Sequence, residues 1–213
     1  MANSQFGTGE FYHIYNRGVE KRDVFSSLPD FNRFLKSVVA FNTIEPIGSI
    51  YENAFSKNIS RKKANSQLVN IICYCLNPSH YHFIMQQKSD GGISEFMKRL
   101  GGGYTKYFNI KYKRSGVLFQ GVFKSKHIDS NEYILRASAY VNLNNRVHRL
   151  GRETSKSSWQ EYIGNLKQHI CNTDIVLKQF NNRKEYRRFA EEALQDILEQ
   201  KQLAKELAEV LLE

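Results

Sequence analysis

A chain of 213 residues is long enough for one well-buried core with a small appendage. No apolar run approaches a membrane span, and the Met-Ala-Asn-Ser start has no secretory pattern, so an integral membrane protein is not expected. The formal net charge is +10, but residues 185–213 hold eight acidic and four basic side chains, leaving the first 184 residues at +14. That balance suits a polyanion such as nucleic acid and is equally met by a solvated basic surface. Three cysteines, with Cys73 and Cys75 alternating on one segment, do not make a disulfide framework and point to a reducing cytosol.

Residues 10–19 are rich in aromatic and β-branched types and predict a first strand. Pro29-Asp30 opens a helix carrying Phe31, Phe34, Leu35, Val38 and Val39 at helical spacing, running to about Asn42. Periodicity is lost from Thr43 to Gln67, where Ser, Asn and Lys accumulate, as in a long surface insertion. Leu68–Leu76 is a nearly continuous apolar run suited to a buried strand; Asn77-Pro78-Ser79 is a turn, and His80–Gln87 a further strand.

A second helix follows Gly91-Gly92. Gly101-Gly102-Gly103 is expected to interrupt it, through a kink or a close approach of backbone to ligand, before Tyr104–Phe108 resumes it. Val117–Ile128 predicts a last strand or strand pair. Asp129 or Ser130 then caps a helix reaching roughly His148. The order β-α-β-β-α-β predicts an α+β fold with a ferredoxin-like, RRM-like antiparallel sheet, its helices on one face. Residues 185–213 are free of Gly and Pro and predict a long C-terminal amphipathic helix, packed on the core or offered to a partner.

Pro78-Ser79-His80-Tyr81-His82 is the sharpest local feature. Strand alternation places His80 and His82 on one face and Tyr81 on the other, giving half of a metal site. An isolated His-x-His pair is also what two half-buried histidines on a sheet face look like. Tyr140 and Asn144 are four apart and share a helical face. Laid over the sheet, that face brings an amide oxygen to a metal held by the histidines and points a phenol at whatever the metal holds. Taken alone, Tyr140 reads better as a core aromatic on a stripe with Tyr133, Ala137 and Val147.

From about Phe11 to Leu150 the chain resembles the single-tyrosine HUH transposases, particularly the REP-associated tyrosine transposase branch. The resemblance rests on Pro78 with His80-Tyr81-His82, on His13-Ile14-Tyr15-Asn16-Arg17-Gly18, on Leu118–Ser125, and on Glu132–Leu135 followed by Tyr140-Val141-Asn142-Leu143-Asn144. Tyr81 is larger than the family's usual aliphatic residue, and Asn145 stands where many relatives have Pro.

The resemblance implies a transposase domain over 1–150, with 43–67 inserted, and a helical extension over 151–213. It implies Tyr140 as nucleophile; His80, His82 and Asn144 as ligands of Mg²⁺ or Mn²⁺; and a 5′-phosphotyrosine intermediate on single-stranded DNA bearing hairpins. A bacterial cytoplasmic, nucleoid-associated location and a possible homodimer accompany that reading. Two histidines also suit Zn²⁺ or Ni²⁺. Arg17, Lys124 and Lys126 on strands, and Arg99, Lys106 and Arg136 on helices, are candidate phosphate contacts. Tyr104, Tyr107 and Phe108 are candidate base-stacking rings. The rival readings are a catalytically silent, domesticated single-stranded nucleic-acid binder, a water-using metal nuclease in which Tyr140 is structural, and an assembly protein built on the C-terminal helix.

Overall fold

The computed structural model describes residues 6–48, 50, 67–151, 153–164, 166 and 169–210; most of the 43–67 insertion lies outside them. Strand β1 (Phe11–Arg17) leads through a 3-10 turn (Val19–Lys21) to helix α1 (Leu28–Phe41). Strands β2 (Val69–Asn77) and β3 (His80–Gln87) form a hairpin over the Pro78-Ser79 turn, followed by α2 (Gly92–Lys111) and β4 (Lys124–Ile128). Beyond this frame come α3 (Asn131–Asn142), a helical turn α4 (Asn144–Val147), a short edge strand β5 (Lys156–Ser157), α5 (Trp159–Ile163), α6 (Asp174–Leu177) and α7 (Arg183–Val210). The sheet order is β4-β1-β3-β2-β5, antiparallel throughout, so the ferredoxin-like frame carries one added edge strand.

Strand alternation divides the sheet into two chemically different faces. Tyr12 and Ile14 of β1, Tyr74 and Leu76 of β2, and Tyr81, Phe83 and Met85 of β3 point one way, into a core shared with Phe31, Phe34 and Val38 of α1 and Phe96, Leu100 and Tyr104 of α2. Full burial of a side chain such as Phe34 or Phe83 is worth about 1.5–3 kcal/mol. The two crossover helices thus share one face, as the element order predicts. The later helices build a second layer on the other face: Ile134, Ala137 and Val141 of α3, Tyr162 of α5, and Tyr186 and Ala190 of α7 pack against Ile72, Cys73, Cys75 and Ile84.

Four local expectations change. The Gly101-Gly102-Gly103 triplet does not interrupt α2, which is continuous from Gly92 to Lys111. Its close approach is to Phe41 of α1, whose ring would lie 2.7 Å from a Cβ on Gly103, whereas Gly101 and Gly102 face open space. Val39 is 60% exposed, off the buried stripe of Phe31, Phe34 and Val38. The last strand is shorter than Val117–Ile128, because Gly121 takes a left-handed φ of 68° and only a bridge between Gly18 and Phe119 precedes β4.

The fourth concerns the helix begun at Ser130, whose Oγ accepts from the Tyr133 N–H. It ends at Asn142 and resumes as α4, with Leu143 at the joint. The C-terminal helix uses its first half to pack on α3, while Leu203 further along is 58% exposed.

The glycine triplet gives a sharp test. Gly103→Ala is expected to cost about 1–3 kcal/mol through overpacking against Phe41. Gly101→Ala or Gly102→Ala is expected to gain up to about 1 kcal/mol by lowering backbone entropy loss. Urea denaturation of the three variants reads the difference, and equal effects would contradict the packing.

Asn42, just past α1, pairs its side chain with both backbone groups of Val69, at 2.8 and 3.0 Å. The end of α1 is thereby tied to the start of β2.

Candidate active site

The site lies on the face covered by the later helices, where the sheet's apolar residues give way to imidazoles and cations. Pairing of β1 with β3 sets Arg17 beside His80, Tyr15 beside His82 and His13 beside Ile84. Pairing of β1 with β4 sets Lys124 beside Tyr15 and Lys126 beside His13. Because facing residues in register share a face, His13, Tyr15, Arg17, His80, His82, Lys124 and Lys126 all point to the same side. Tyr81 points to the other, into the aromatic core. A cleft of about 260 Å³ opens here, lined by Tyr15, Asn16, Arg17, His80, His82, Gln120, Lys124 and His148.

Helix α3 lowers its C-terminal end over this cleft. The Tyr140 ring stands edge-on to the His82 ring at 5.7 Å and to the His13 ring at 6.1 Å. Asn144 follows one turn later, across the joint at Leu143, and is fully buried. Leu143 belongs to both segments, its N–H donating back to Ala139 and its carbonyl accepting from Arg146 and Val147.

Two lone pairs converge here. The Asn77 amide nitrogen donates to Asn144 Oδ1 at 2.7 Å and lies 2.9 Å from His80 Nε2. One amide N–H₂ donor therefore faces both groups, and a cation bound between them would have to displace it. Asn144 Nδ2 is buried with no partner among the described residues, a cost of about 1–3 kcal/mol that a ligand on that side removes.

The imidazoles are held neutral. Burial, reinforced by His148 and Arg17, pushes the His80 pKa down to about 4 against an opposing hydrogen bond with Asn144. Burial and the charge of Lys126 bring His13 down to about 4. Burial, then His13, His80 and His148, keep His82 well below the ordinary histidine value. Neutral imidazole is the form that binds metals. Among the described residues no three His, Cys, Asp or Glu side chains form a metal cluster. A divalent ion beside His80 and His82 would therefore need a donor of another kind, and the Asn144 amide lies next to His80 through Asn77. Burial raises the Tyr140 pKa, partly offset by the nearby Asn144 side chain, so the phenol is protonated at neutral pH.

A pH dependence follows from these shifts. Below about 6.5 the unfolded histidines take up protons that the folded ones refuse until about 4. Metal-free protein is thus expected to lose on the order of a few kcal/mol of stability as pH falls from 6.5 toward 4. Thermal melts in chelator check this; an unchanged midpoint over that range would contradict it.

Residues 50–144, a span that takes in both histidines, Tyr140 and Asn144, match the family model described as "Transposase IS200 like". Over that segment the chain is similar to the IS200-like transposases. A solved structure of a REP-associated tyrosine transposase bound to a REP hairpin matches with a TM-score of 0.51 and 10% identity, over 80% of this chain and 88% of that one. At that identity the likeness speaks for the fold. No curated protein matches the chain.

Around the site the other candidate residues separate by face. Arg17 and Lys124 line the cleft, and Lys126 sits 5.0 Å over the Tyr133 ring beside it. Arg136, one turn before Tyr140, is exposed and paired with Glu132.

Those on α2 lie behind the sheet. Arg99 is held by Glu95 and by the carbonyls of Thr43 and Ile44, and Lys106 is exposed. Tyr104 is fully buried, its hydroxyl donating to the Val24 carbonyl; Tyr107 donates to Asp30, and Phe108 is buried. The rings of Tyr104 and Phe108 fill the core and offer no free face to a base.

Sequence reasoning missed His13, Tyr15 and Asn77 and left His148 aside, although the His148 ring lies 4.8 Å from that of His80. The period of two in His13-Ile14-Tyr15-Asn16-Arg17 was the available signal. Which of its two faces meets the histidines depends on strand register.

Proposed function

We propose that this chain cleaves and rejoins single-stranded DNA through Tyr140, at sites flanked by hairpins. The observation that carries the reading is the seating of the Tyr140 phenol over His82, with Asn144 one turn on at the convergence of lone pairs beside His80. His80, His82 and Asn144 would hold a divalent ion, Mg²⁺ or Mn²⁺ by family habit. When bound, such an ion polarises a phosphate oxygen and so makes the phosphorus a better electrophile.

The Tyr140 oxygen then forms a bond to phosphorus as the phosphorus–O3′ bond breaks. The phenolic proton is given up and the departing 3′-oxygen gains one, leaving a 5′-phosphotyrosine and a free 3′-hydroxyl. Attack by a 3′-hydroxyl from another strand reverses the step. One phosphodiester is exchanged for another, so no external energy source is needed.

Arg17 and Lys124 at the cleft and Lys126 beside it supply cations for the backbone of a single strand. The hairpin preference is suggested by the REP hairpin in the solved structure of similar fold. Residues 1–150 would form the catalytic domain, braced through α3 by the extension over 151–213. No described helix is long and apolar enough to cross a membrane, and a cytoplasmic, DNA-associated location fits the reading.

Incubation with labelled hairpin-bearing single strands and Mn²⁺ tests the proposal. Label is expected on denatured protein, and to vanish with chelator or in the His80→Ala, His82→Ala double variant. Tight binding without any adduct would favour the catalytically silent binder. Metal-dependent cutting without an adduct would favour hydrolysis by water.

A further inference from the structure

One ring nitrogen of His13 lies 2.9 Å from one of His82: the contact joins His13 Nε2 and His82 Nδ1. The rings are 5.1 Å apart between centroids with their planes 24° from parallel, and the nitrogen–nitrogen distance is that of a hydrogen bond. His82 is buried, and His13 stands on β1, two residue pairs along the β1–β3 ladder from it and therefore on the same face. Tyr140 stands edge-on to both rings, so the pair forms the floor beneath the phenol.

A single proton sits between two ring nitrogens at this distance, and where it sits decides what His82 can do. If His82 Nδ1 carries the proton and donates to His13 Nε2, the Nε2 of His82 keeps its lone pair. If His13 is the donor, a neutral His82 carries its proton on Nε2 and has no lone pair there to give.

We propose that His13 is a positioning residue: it accepts the Nδ1 proton of His82, fixing the tautomer and ring plane in which Nε2 of His82 is free to bind a divalent ion. The inference rests on the metal-site reading above and adds a residue outside the His80-Tyr81-His82 motif. Metal-binding histidines commonly owe their orientation to such a partner, whose loss costs about 10–100-fold in metal affinity. Here the partner is a second imidazole on the neighbouring strand. Alternation then explains why a histidine at position 13 faces the site while Tyr12 and Ile14 enter the core.

The test uses the full chain and two readouts that need no turnover. Nitrogen-15 NMR of the metal-free protein is expected to show His82 protonated at Nδ1; protonation at Nε2 would overturn the inference without any variant being made. Mn²⁺ binding, followed by electron paramagnetic resonance, is expected to weaken about 10–100-fold in His13→Phe and to recover in large part in His13→Gln, whose amide oxygen can accept the same proton. If His82→Ala abolishes Mn²⁺ binding while His13→Phe binds like the wild type, this inference fails and the metal-site reading stands. If His82→Ala binds Mn²⁺ unchanged, the metal-site reading itself fails.

Discussion

Tyr140→Phe is expected to lower DNA cleavage by at least about 10³-fold while leaving hairpin binding within a small factor of the wild type. The substitution removes one oxygen and keeps the ring that stands against His82 and His13. Stability should therefore change little, since the packing of the ring is kept. The cations at and beside the cleft, Arg17, Lys124 and Lys126, are untouched, so affinity for the strand persists. Single-turnover cleavage and binding, measured on one preparation, separate the two effects. Undiminished cleavage would contradict the assignment of Tyr140 and turn attention to Tyr133, which lies seven residues earlier on the same helix.

The largest expected effect on stability lies on the opposite face. Asp30 is fully buried near the start of α1. Its Oδ1 accepts from Lys111 Nζ at 2.6 Å and the Tyr107 hydroxyl at 3.0 Å. Its Oδ2 accepts from the Tyr112 hydroxyl at 2.7 Å, Ser27 Oγ at 2.9 Å and the Ser26 N–H at 3.0 Å. Burial alone would raise the carboxyl's pKa, but the hydrogen bonds, Lys111 foremost, outweigh it and hold the pKa below the usual value.

The cluster ties the start of α1 to the end of α2. Asp30→Ala is expected to cost about 3–5 kcal/mol, because it strands buried donors and leaves Lys111 without its charge partner. That corresponds to a fall in Tm on the order of 10 °C. Because the folded pKa is depressed, the stabilisation is present above the unfolded value and is lost as pH falls through the lowered one. A loss below about 1 kcal/mol in urea titrations would contradict the assignment. Metal affinity of the folded variant should be unchanged, since the cluster lies behind the sheet.

The same division of faces explains what could be read from the sequence. His80 and His82 alternate with Tyr81, and a period of two is a local property that survives any tertiary arrangement. The four-residue spacing of Tyr140 and Asn144 is likewise local, although the helix joint at Leu143 falls between them. The four-strand frame followed from the β-α-β-β-α-β pattern, whose two helical crossovers and one short hairpin leave few arrangements, whereas the edge strand β5 did not.

Side was harder to read. Tyr104, Tyr107 and Lys106 carry the mixture of rings and cations that suits single-stranded DNA, yet α2 packs behind the sheet, where the aromatics serve the core and the Asp30 cluster. Nothing local distinguishes a ring that stacks on a base from one that fills a core. The glycine triplet is similar: its meaning depends on Phe41, sixty residues earlier, across a helix contact. His13 needed the register of β1 against β3, which is a long-range property. The insertion between Thr43 and Gln67 shows in composition, and the paired contacts of Asn42 with Val69 tie the end of α1 to the start of β2.

The most direct test of the central claim is to locate the covalent bond itself. Wild-type protein is incubated with a hairpin-bearing single strand and Mn²⁺, denatured, digested with nuclease and protease, and its peptides are weighed by mass spectrometry. A nucleotide 5′-phosphate attached to the peptide containing Tyr140, at that residue, is the predicted result. Cleaved DNA with a nucleotide on another residue, or with no modified peptide, would contradict the account.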